Sequence, residues 1–552
     1  MSVLRTASLY WHTLRHLRPV QVYGRVRFRL VRPRVDAAPA PDLRAPSGAW
    51  VAPAARAPSL AGPGAFRFLG ETGTLAEIGW DGPARDKLWR YNQHYFDDLN
   101  ATGAPERAGW HVALIADWLA QNSPGRGSGW EPYPTSLRIV NWIKWARAGN
   151  MLSAAAVQSL AVQARWLSRR LEYHLLGNHL FSNAKALVFA GLFFEGAEAE
   201  SWLETGLAIL ARELPEQILA DGGHFERSPM YHALALEDLL DLVNIAACYR
   251  AGLVPAQQTQ VDCWCERIEA MRGWLDAMSH PDGGISFFND AAFGIAPDNA
   301  ELDAYAGRLG FEAVDRLPPT QWRAASGYAR LSCGPAVALL DMAPVGPDYL
   351  PGHAHADTLS FELSLFGERV LVNSGTSCYG DSDERLRQRG TAAHNTVIID
   401  GRDSSEVWGG FRVARRARLR DMVVTTGEAP IAQGTHDGYR RLPGAPLHQR
   451  RWRMDDGSLA ISDRIGTGTL PAEARFHVHP GVTLVPASDP SAGEGLTPNG
   501  KRFSWQVRRG RARIEPATWH PRFGEACASQ CLAVALHGGQ SEIVFAWHDG
   551  RS

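Results

Sequence analysis

The sequence predicts an α+β protein in which a series of helices is followed by an antiparallel β-sandwich. Residues 110–278 carry apolar side chains at helical spacing. After about residue 327 the pattern changes to short apolar runs separated by Gly, Pro, Asp and Asn, which is typical of antiparallel strands. With 552 residues, 45% of them hydrophobic, the chain can form more than one core. We therefore expect two large domains with a cleft between them, the usual place for a large ligand.

The N-terminal part is basic and helix-prone, and residues 36–64 are rich in Ala and Pro, which predicts a linker or an extended strap. Short breaks between the helices that follow favour a helical toroid or a solenoid, although the chain has no fixed-period repeat. We place the domains at residues 1–84, 85–318 and 319–552. The predicted helices are residues 110–119, 137–148, 154–171, 183–194, 197–219, 231–249 and 261–278, and the predicted strands are residues 336–340, 359–365, 370–372, 396–399, 459–462, 475–479 and 543–546.

Composition excludes several classes of function. A net charge of -1 gives no general attraction to nucleic acid. The seven cysteines lack the paired C-x-x-C spacing of a structural zinc site, so most are expected to be reduced. No segment has the apolar length of a membrane span, and the first 34 residues lack the apolar core of a signal peptide. We expect a cytoplasmic protein, or a periplasmic one if translation starts upstream and adds a leader.

Residues 352–357 are the most informative segment, because they place two imidazoles and a carboxylate ahead of an alternating apolar run. On an extended backbone, residues two apart point the same way, so His353, His355 and Asp357 are expected to share one face of a strand. Such a group indicates a metal or proton-transfer site. The alternative is a structural histidine pair, since H-x-H spacing alone is weakly specific.

Two segments of the helical half carry further candidates. Asn178 and His179 stand at a predicted helix start, where an amide, an imidazole and free backbone N–H groups suit an anionic ligand. Helix capping by Asn178 is the alternative. Tyr231 follows a Ser-Pro helix start, and a cationic neighbour that lowered its pKa would let it exchange a proton with a substrate. A tyrosine in that position is more often part of the core.

In the β half, His355, Asn373 and His394 are expected to converge from neighbouring strands. Their nitrogen and oxygen atoms are ligands that a zinc-like ion accepts. A carboxylate would be the more usual third ligand, and this chain has the neutral amide of Asn373 in that place.

Taken together, these segments resemble the heparinase II/III family of polysaccharide lyases, and the resemblance covers most of the chain. It implies an incomplete (α/α) toroid followed by an antiparallel β-sandwich, in agreement with the pattern of helices and strands. The occurrence of all these segments in this order is specific for the family, whereas any single segment is not. The matching segments are residues 92–96, 130–134, the Asn178-His179 and Tyr231 segments, residues 352–373 and His394.

The resemblance implies β-elimination in an acidic, uronate-containing polysaccharide, which is then the partner of this protein. Asn178 and His179 would neutralise the uronate carboxylate. Tyr231 would protonate the departing 4-oxygen and, for one C5 configuration, also take the C5 proton, with His353 as the alternative base. His355, Asn373 and His394 match the family's structural zinc site, where this chain has Asn373 in place of Asp. An enzyme without a leader would act on the cell's own exopolysaccharide.

Two other functions are compatible with the sequence. A glycoside hydrolase would use paired carboxylates, and the chain offers Asp221, Glu226, Glu237 and Asp238. Glu226 is the best of these, because Glu237 and Asp238 are expected on a solvated helix face. The other is non-catalytic carbohydrate binding by a protein of exopolysaccharide assembly.

Overall fold

The computed structural model describes residues 3–314, 318–466 and 470–548. Its longer helices lie in the first 308 residues, as the sequence predicts, and their bounds agree with the predicted bounds to within a few residues in most cases. The helices are α1 Val3–Leu14, α2 Pro19–Leu30, α3 Leu75–Ile78, α4 Lys87–Tyr95, α5 Ala108–Gln121, α6 Pro132–Arg147, α7 Ala154–Ser168, α8 Gly177–Phe193, α9 Ala197–Gln217, α10 Pro229–Cys248, α11 Pro255–Ala277, α12 Asn299–Arg308 and α13 Asp383–Arg389.

The strands form four antiparallel sheets, three of which make up the C-terminal half. In space their orders are β4-β5-β6-β7-β8, β18-β19-β14-β9 and β10-β11-β12-β13-β20-β17-β16-β15, and a small sheet β1-β2-β3 lies between α2 and α3 in the chain. The strands are β1 Leu60–Gly62, β2 Ala65–Phe68, β3 Glu71–Thr74, β4 Thr320–Arg323, β5 Tyr328–Cys333, β6 Ala336–Asp341, β7 Phe361–Leu365, β8 Glu368–Leu371, β9 Val397–Ile399, β10 Leu419–Val424, β11 Ile431–His436, β12 His448–Asp455, β13 Ser458–Ile465, β14 Ala472–His477, β15 Thr483–Pro486, β16 Ala492–Leu496, β17 Arg502–Arg509, β18 Arg511–Trp519, β19 Cys527–Ala535 and β20 Gln540–Trp547.

The Ala/Pro-rich segment is an extended strap that is hydrogen-bonded to the helical half. Arg44 N donates to Phe193 O at the end of α8, and Gly48 N donates to Cys248 O at the end of α10. Arg165 of α7 holds the start of the strap through the carbonyl of Pro39, 2.8 Å away. Pro and small residues favour this extended path because they do not continue a helix.

The helical half has an aromatic-rich core, in which Trp118, Trp142 and Trp264 are fully buried. Its helices run in sequence, and α8 packs closely on α6 and α9. The largest differences from the predicted helix bounds are at two helix starts: α11 begins at Pro255 and not at residue 261, and α8 begins at Gly177 and not at residue 183. Asn178 and His179 therefore lie inside its first turn. The polar Gly-Asn-His start masked the helical periodicity, which becomes regular only further along the chain.

The β half buries a second core between its sheets. Along β12 and β17, buried and exposed residues alternate, as expected for strands with one face on a core. On β7 all five residues are buried, because both faces of this strand are covered. The chain changes from helix to strand between Arg308 and Thr320, whereas the three domain limits themselves stay predictions. The predicted toroid followed by an antiparallel β-sandwich is confirmed.

The expectation that residues 352–357 form an extended strand is wrong. The segment is an irregular loop, and the strand after it begins only at Phe361. Its side chains therefore do not share one face, and they are held by different partners.

Two other sequence expectations concern the cysteines and membrane-spanning helices. All seven cysteines are free thiols, and none of the helices in the described ranges is long and apolar enough to cross a bilayer.

Candidate active site

Tyr231 lies in the first turn of α10, where its position is fixed by a helix cap. Ser228 caps the helix by accepting a hydrogen bond from Tyr231 N over 3.2 Å, and its hydroxyl donates to the carbonyl of Asp290. Pro229 occupies the first helical position, which its fixed φ angle suits. The Ser-Pro signal in the sequence therefore places Tyr231 at the start of the helix, beside the β half.

His353 reaches this position from the β half and stacks on the ring of Tyr231. The two ring centroids are 3.9 Å apart and the planes are within 15° of parallel. Nδ1 of His353 is hydrogen-bonded to Oε2 of Glu226, a buried carboxylate in the loop before α10. Within the described residues Nε2 of His353 has no partner, and the side chain remains 15% exposed. The imidazole can therefore present Nε2 to a ligand while Glu226 holds its other nitrogen.

Glu226 is held in its ionised form by its surroundings. Burial favours the neutral acid, but the charge of His353 and the hydrogen bond to it outweigh burial and lower the pKa of Glu226. An ionised carboxylate accepts hydrogen bonds and donates none, so Nδ1 of His353 carries the proton. In the neutral imidazole Nε2 is then an unprotonated acceptor, which is the form that a general base needs.

The hydroxyl of Tyr231 lies 2.9 Å from the hydroxyl of Tyr379, which belongs to the loop between β8 and α13. Burial raises the pKa of Tyr231 well above its ordinary value, and Tyr379 and Asp290 raise it further. The condition named in the sequence analysis, a cationic neighbour that lowers the pKa of Tyr231, is therefore not met. A phenol with a raised pKa is protonated at neutral pH, and it is suited to donating a proton.

His179 and Asn178 occupy the first turn of α8. Nδ1 of His179 lies 3.1 Å from Oε1 of Glu172, and its ring lies 4.5 Å from the ring of Tyr133. Burial opposes the charged form, but the charge of Glu172 and its hydrogen bond outweigh burial and raise the pKa of His179. The side chain is 30% exposed. Asn178 is partly exposed and forms no side-chain hydrogen bond to a described residue, so this helix start presents an amide beside an imidazole whose charged form Glu172 favours.

The start of α8 lies next to the carboxylate of Glu226. Gly177 has a φ angle of +54°, and a Cβ at this position would be 3.5 Å from Oε1 of Glu226 and 2.3 Å from a methyl carbon of Leu350. Only glycine permits both this conformation and this close approach. The structure therefore brings Asn178, His179, Tyr231 and His353 to one site, with residues from both halves of the chain.

The residues predicted to bind zinc form a hydrogen-bonded cluster behind the site. Nδ1 of His355 lies 3.2 Å from Nε2 of His394, and Nε2 of His355 lies 2.8 Å from Oδ1 of Asp290. Burial lowers the pKa of His355 to about 4 and that of His394 well below its ordinary value, so both imidazoles are neutral. Arg385 forms a buried ion pair with Asp290. Burial opposes ionisation of Asp290, but Arg385 and His355 hold its pKa far below the usual range.

This donor set fits structural zinc only in part. Two nitrogens bound to one tetrahedral zinc lie roughly 3.3 Å apart, close to the distance between His355 and His394. The carboxylate on the far nitrogen of His355 is also a usual outer partner of a zinc-bound imidazole. The third position fits less well, because Asn373 offers the neutral oxygen of an amide where a carboxylate is usual, and this Oδ1 already accepts a hydrogen bond from Asn395 N at 3.1 Å. The described residues contain no group of three His, Cys, Asp or Glu side chains arranged to hold a metal. Zinc binding stays a prediction.

The three other carboxylates considered for hydrolysis, Asp221, Glu237 and Asp238, all have structural partners. Asp221 accepts hydrogen bonds from the backbone and hydroxyl of Ser326. The expectation that Glu237 and Asp238 lie on a solvated helix face is wrong, because Glu237 is buried and forms an ion pair with Arg56. Asp238 forms one with Lys185, 2.7 Å away. The helix face is lined by charges that neutralise one another, a pairing that a single sequence does not reveal.

Several residues at the site have no signal of their own in the sequence. Tyr379 stands in a loop, and Glu172 precedes α8 and is held by Asn183 Nδ2 at 3.0 Å. Asp290 lies in a loop that is far from both His355 and Arg385 in the chain. The sequence indicates Glu226 as a candidate hydrolytic acid, and nothing in it indicates that Glu226 is the partner of His353.

Comparisons with known proteins agree with this architecture. The heparinase II/III N-terminus model matches residues 101–300, and the heparinase II/III-like C-terminal model matches residues 315–548. A heparin-sulfate lyase of Bacteroides stercoris is 28% identical over 252 residues, which are 42% of this chain and 37% of that enzyme. The chain therefore spans well under half the length of that relative.

Two further proteins match over a larger share of the chain. FtsZ-localized protein C of Caulobacter vibrioides is 26% identical over 493 residues, which cover 81% of this chain and 79% of that protein. The crystal structure of a heparan sulfate lyase HepC mutant from Pedobacter heparinus has a TM-score of 0.61 at 18% identity, covering 97% of this chain and 88% of that one. The structural likeness concerns the fold. Because the two family models together account for most of the sequence, from the toroid helices to the last strands of the sandwich, the chain belongs to the heparinase II/III family.

Proposed function

We propose that the protein is a polysaccharide lyase that cleaves a uronate-containing polysaccharide by β-elimination. The observation that carries the proposal is the stacked pair of Tyr231 and His353, in which a buried carboxylate orients the imidazole as a base and burial keeps the phenol protonated as an acid. Family membership and the heparin-sulfate lyase relative support the same reaction class.

The first requirement of the reaction is a more acidic C5 proton. This proton lies next to an ionised carboxylate, so its removal creates a second negative charge beside the first. Asn178 and the cationic His179 can bind the carboxylate and stabilise the charge that develops on its oxygens in the transition state. Their place in the first turn of α8 adds backbone N–H groups that point the same way.

The second requirement is a base close to the C5 hydrogen and an acid close to the 4-oxygen. Nε2 of His353 takes the C5 proton, the electron pair forms the double bond between C4 and C5, and the C4–O bond breaks. Tyr231 gives its phenolic proton to the departing oxygen, and solvent then carries a proton from His353 back to Tyr231. Because no water is added, the new non-reducing end is an unsaturated uronate.

The arrangement of the two rings also favours one stereochemistry. Since the rings are stacked 3.9 Å apart, base and acid approach the sugar from the same side. The C5 hydrogen and the 4-oxygen lie on one side of the ring in D-glucuronate and D-mannuronate, and on opposite sides in the C5 epimers L-iduronate and L-guluronate. We therefore expect syn elimination at D-uronates.

The experiment is incubation with a panel of polyuronates, including heparan sulfate, alginate rich in either epimer and acidic exopolysaccharides. Products are followed by the ultraviolet absorbance of the unsaturated end and by mass. Cleavage that produces reducing ends and incorporates solvent oxygen, without the double bond, would show a hydrolase. Tyr231→Phe is the control for the lyase assignment, because a hydrolase that uses Glu226 retains most of its activity in this variant.

A glycoside hydrolase is less well supported by the site. Its acid carboxyl needs a raised pKa, whereas His353 lowers the pKa of Glu226. Non-catalytic binding in exopolysaccharide assembly is the second candidate, because the relative with the broader match is named for its localisation with FtsZ and not for an enzymatic activity. Binding to panel members without turnover would favour it. That the polymer is the cell's own exopolysaccharide, and that the protein is cytoplasmic, stay predictions.

A further inference from the structure

The N-terminal hairpin of α1 and α2 has an unusual charge composition. Residues 3–35 contain eight arginines and no Asp or Glu, in a chain whose net charge is -1. Arg25, Arg27 and Arg29 of α2 are exposed and form no ion pair with any described residue. This basic segment is attached to a protein that is otherwise acidic, so its charge is a local feature.

The same helices expose a stripe of large apolar side chains. On α2 the stripe consists of Val22, Tyr23, Val26 and Leu30, each more than half exposed. Residues three and four apart share a helix face, so these four cover an arc of about 100°. Arg25 and Arg29 lie along one edge of this arc, and Arg27 lies along the other. On α1 the large apolar side chains that are half or more exposed are Leu4, Trp11 and Leu14.

The opposite face of α2 is firmly attached to the body of the protein. Gly24 packs on the backbone of His174, and the ring of Phe28 lies 4.2 Å from the ring of His174 and 3.6 Å from the guanidinium carbon of Arg170. Nε2 of Gln21 donates to the carbonyl of Tyr349 over 3.2 Å. The exposed stripe is therefore the outer face of an anchored element, and it does not result from a helix lying detached from its core.

The attachment of α1 reaches towards the candidate active site. Nε1 of Trp408 donates to the hydroxyl of Thr13 over 3.1 Å, and the rings of Tyr10 and Trp408 are 4.8 Å apart. The same loop contains Phe411, whose ring lies 6.3 Å from that of His353. Whatever binds the outer face of the hairpin will thus hold the enzyme in a fixed orientation relative to its site.

We propose that the outer face of the α1–α2 hairpin is a docking surface for an anionic lipid bilayer. An apolar stripe with arginines on both edges matches the depth profile of such a surface, with the stripe in the acyl boundary and the guanidinium groups at the level of the headgroup phosphates. Aromatic residues such as Trp11 and Tyr23 are favoured at that depth. A soluble polyanion would pair with the arginines but would leave the apolar stripe in water.

The proposal does not depend on lyase activity, and it is tested by flotation of the full chain with vesicles. One set contains phosphatidylcholine alone, and the other contains equal parts of phosphatidylcholine and phosphatidylglycerol. We expect binding to the anionic vesicles, weak binding to the neutral ones, and a decrease in binding as salt is added. The absence of binding to both sets overturns the proposal and leaves an acidic protein as the remaining kind of partner.

Two sets of variants separate the parts of the surface. Arg25→Gln/Arg27→Gln/Arg29→Gln should weaken binding to anionic vesicles by roughly 100-fold. The matched control Arg451→Gln/Arg453→Gln/Arg464→Gln removes the same charge from exposed strand positions of the sandwich and should retain wild-type binding. A similar loss in both triple variants would show that only net charge matters, which contradicts the proposal.

The apolar pair Val26→Ser/Leu30→Ser tests the stripe. We expect roughly tenfold weaker vesicle binding, because less apolar area enters the membrane. Unchanged binding would show that the hairpin binds only anionic groups, and it would overturn the proposal that the hairpin docks on a bilayer. All substituted side chains face solvent, so circular dichroism and the melting temperature should match those of the wild type. A variant that fails this check is replaced by the single substitution Leu30→Ser.

Discussion

Glu226→Gln is the most direct test of the proposed base, because it removes one charge and almost no volume. In the wild type, the ionised carboxylate accepts the Nδ1 proton of His353 and leaves Nε2 free to take a proton. The amide of glutamine can donate to Nδ1 instead, and the proton of the neutral imidazole then moves to Nε2, where it blocks the base. The substitution acts on the tautomer of His353 and not on its place in the site.

The expected loss follows from what a positioned base contributes. General base catalysis is worth about 10² to 10⁴ in rate, so kcat should fall by that factor, which corresponds to about 3–5 kcal/mol of transition-state stabilisation. KM should change little, since Asn178 and His179 still bind the substrate carboxylate. Stability should be preserved, because Oε1 of Glu226 is buried and has no hydrogen-bond partner in the described part of the chain, and a neutral amide is less costly to bury than a charge.

The assay is the initial rate of ultraviolet-absorbing product on the best polyuronate of the panel, together with the melting temperature of each protein. Asp221→Asn is the matched control, since this carboxylate belongs to the same loop but, among the residues that the structure describes, bonds only to Ser326 and Gly223. It should keep kcat within about threefold of the wild type, as expected for a change away from the chemistry. A decrease of less than about tenfold in Glu226→Gln, with the fold intact, would refute the role of the Glu226–His353 pair.

Further variants test the acid, the carboxylate site and the metal site. Tyr231→Phe should lower kcat by about 10²- to 10⁴-fold because the proton donor is lost. Tyr379→Phe removes the 2.9 Å hydrogen bond to Tyr231 and should lower kcat by about tenfold or less. Equal losses of kcat in the two variants would contradict the assignment of the acid. The pKa of His179 is raised, so its positive charge persists below that pKa and is lost as the pH rises through it. We therefore expect kcat/KM to fall on the alkaline side of this pKa. Glu172→Gln should move the fall to lower pH, as measured by pH profiles of the rate and by NMR titration of His179. An unshifted profile would exclude His179 as the carboxylate partner. Asn373→Asp supplies the missing carboxylate, so added zinc should raise the melting temperature of this variant more than that of the wild type; equal shifts, or equal zinc by elemental analysis, would show that residue 373 is not a ligand.

The sequence predicts the larger features of this fold because they depend on periodicity and turn chemistry. The helices after residue 108 and most central strands follow from apolar spacing, and Ser228-Pro229 correctly places Tyr231 at a helix start. The same reasoning fails where the backbone is irregular. Residues 352–357 alternate like a strand, but Gly352 and the partners of each side chain produce a loop, and no local pattern indicates this.

Contacts between distant residues explain why only part of the site was predictable. Glu226 and His353 are 127 positions apart in the chain, and their hydrogen bond depends on the packing of the two halves. The raised pKa of Tyr231 likewise results mainly from burial, which a first-turn position on a helix does not specify. The residue types in the sequence indicate which groups can do chemistry, whereas the protonation states of these groups depend on their three-dimensional surroundings.

The two histidines of the 353–355 segment act on Tyr231 by different routes. His353 contacts the ring directly and carries the proposed base. His355 bonds to the side chain of Asp290, whose backbone carbonyl accepts the hydroxyl of Ser228, the residue that caps the helix of Tyr231. Arg385 fixes the same carboxylate from another side. A change at His355 or His394 should therefore reach the acid through Asp290 and the helix cap, with or without a bound metal. On this proposal the buried cluster positions the helix of Tyr231, and a neutral Asn373 is compatible with that role, because none of these hydrogen bonds requires a carboxylate at residue 373.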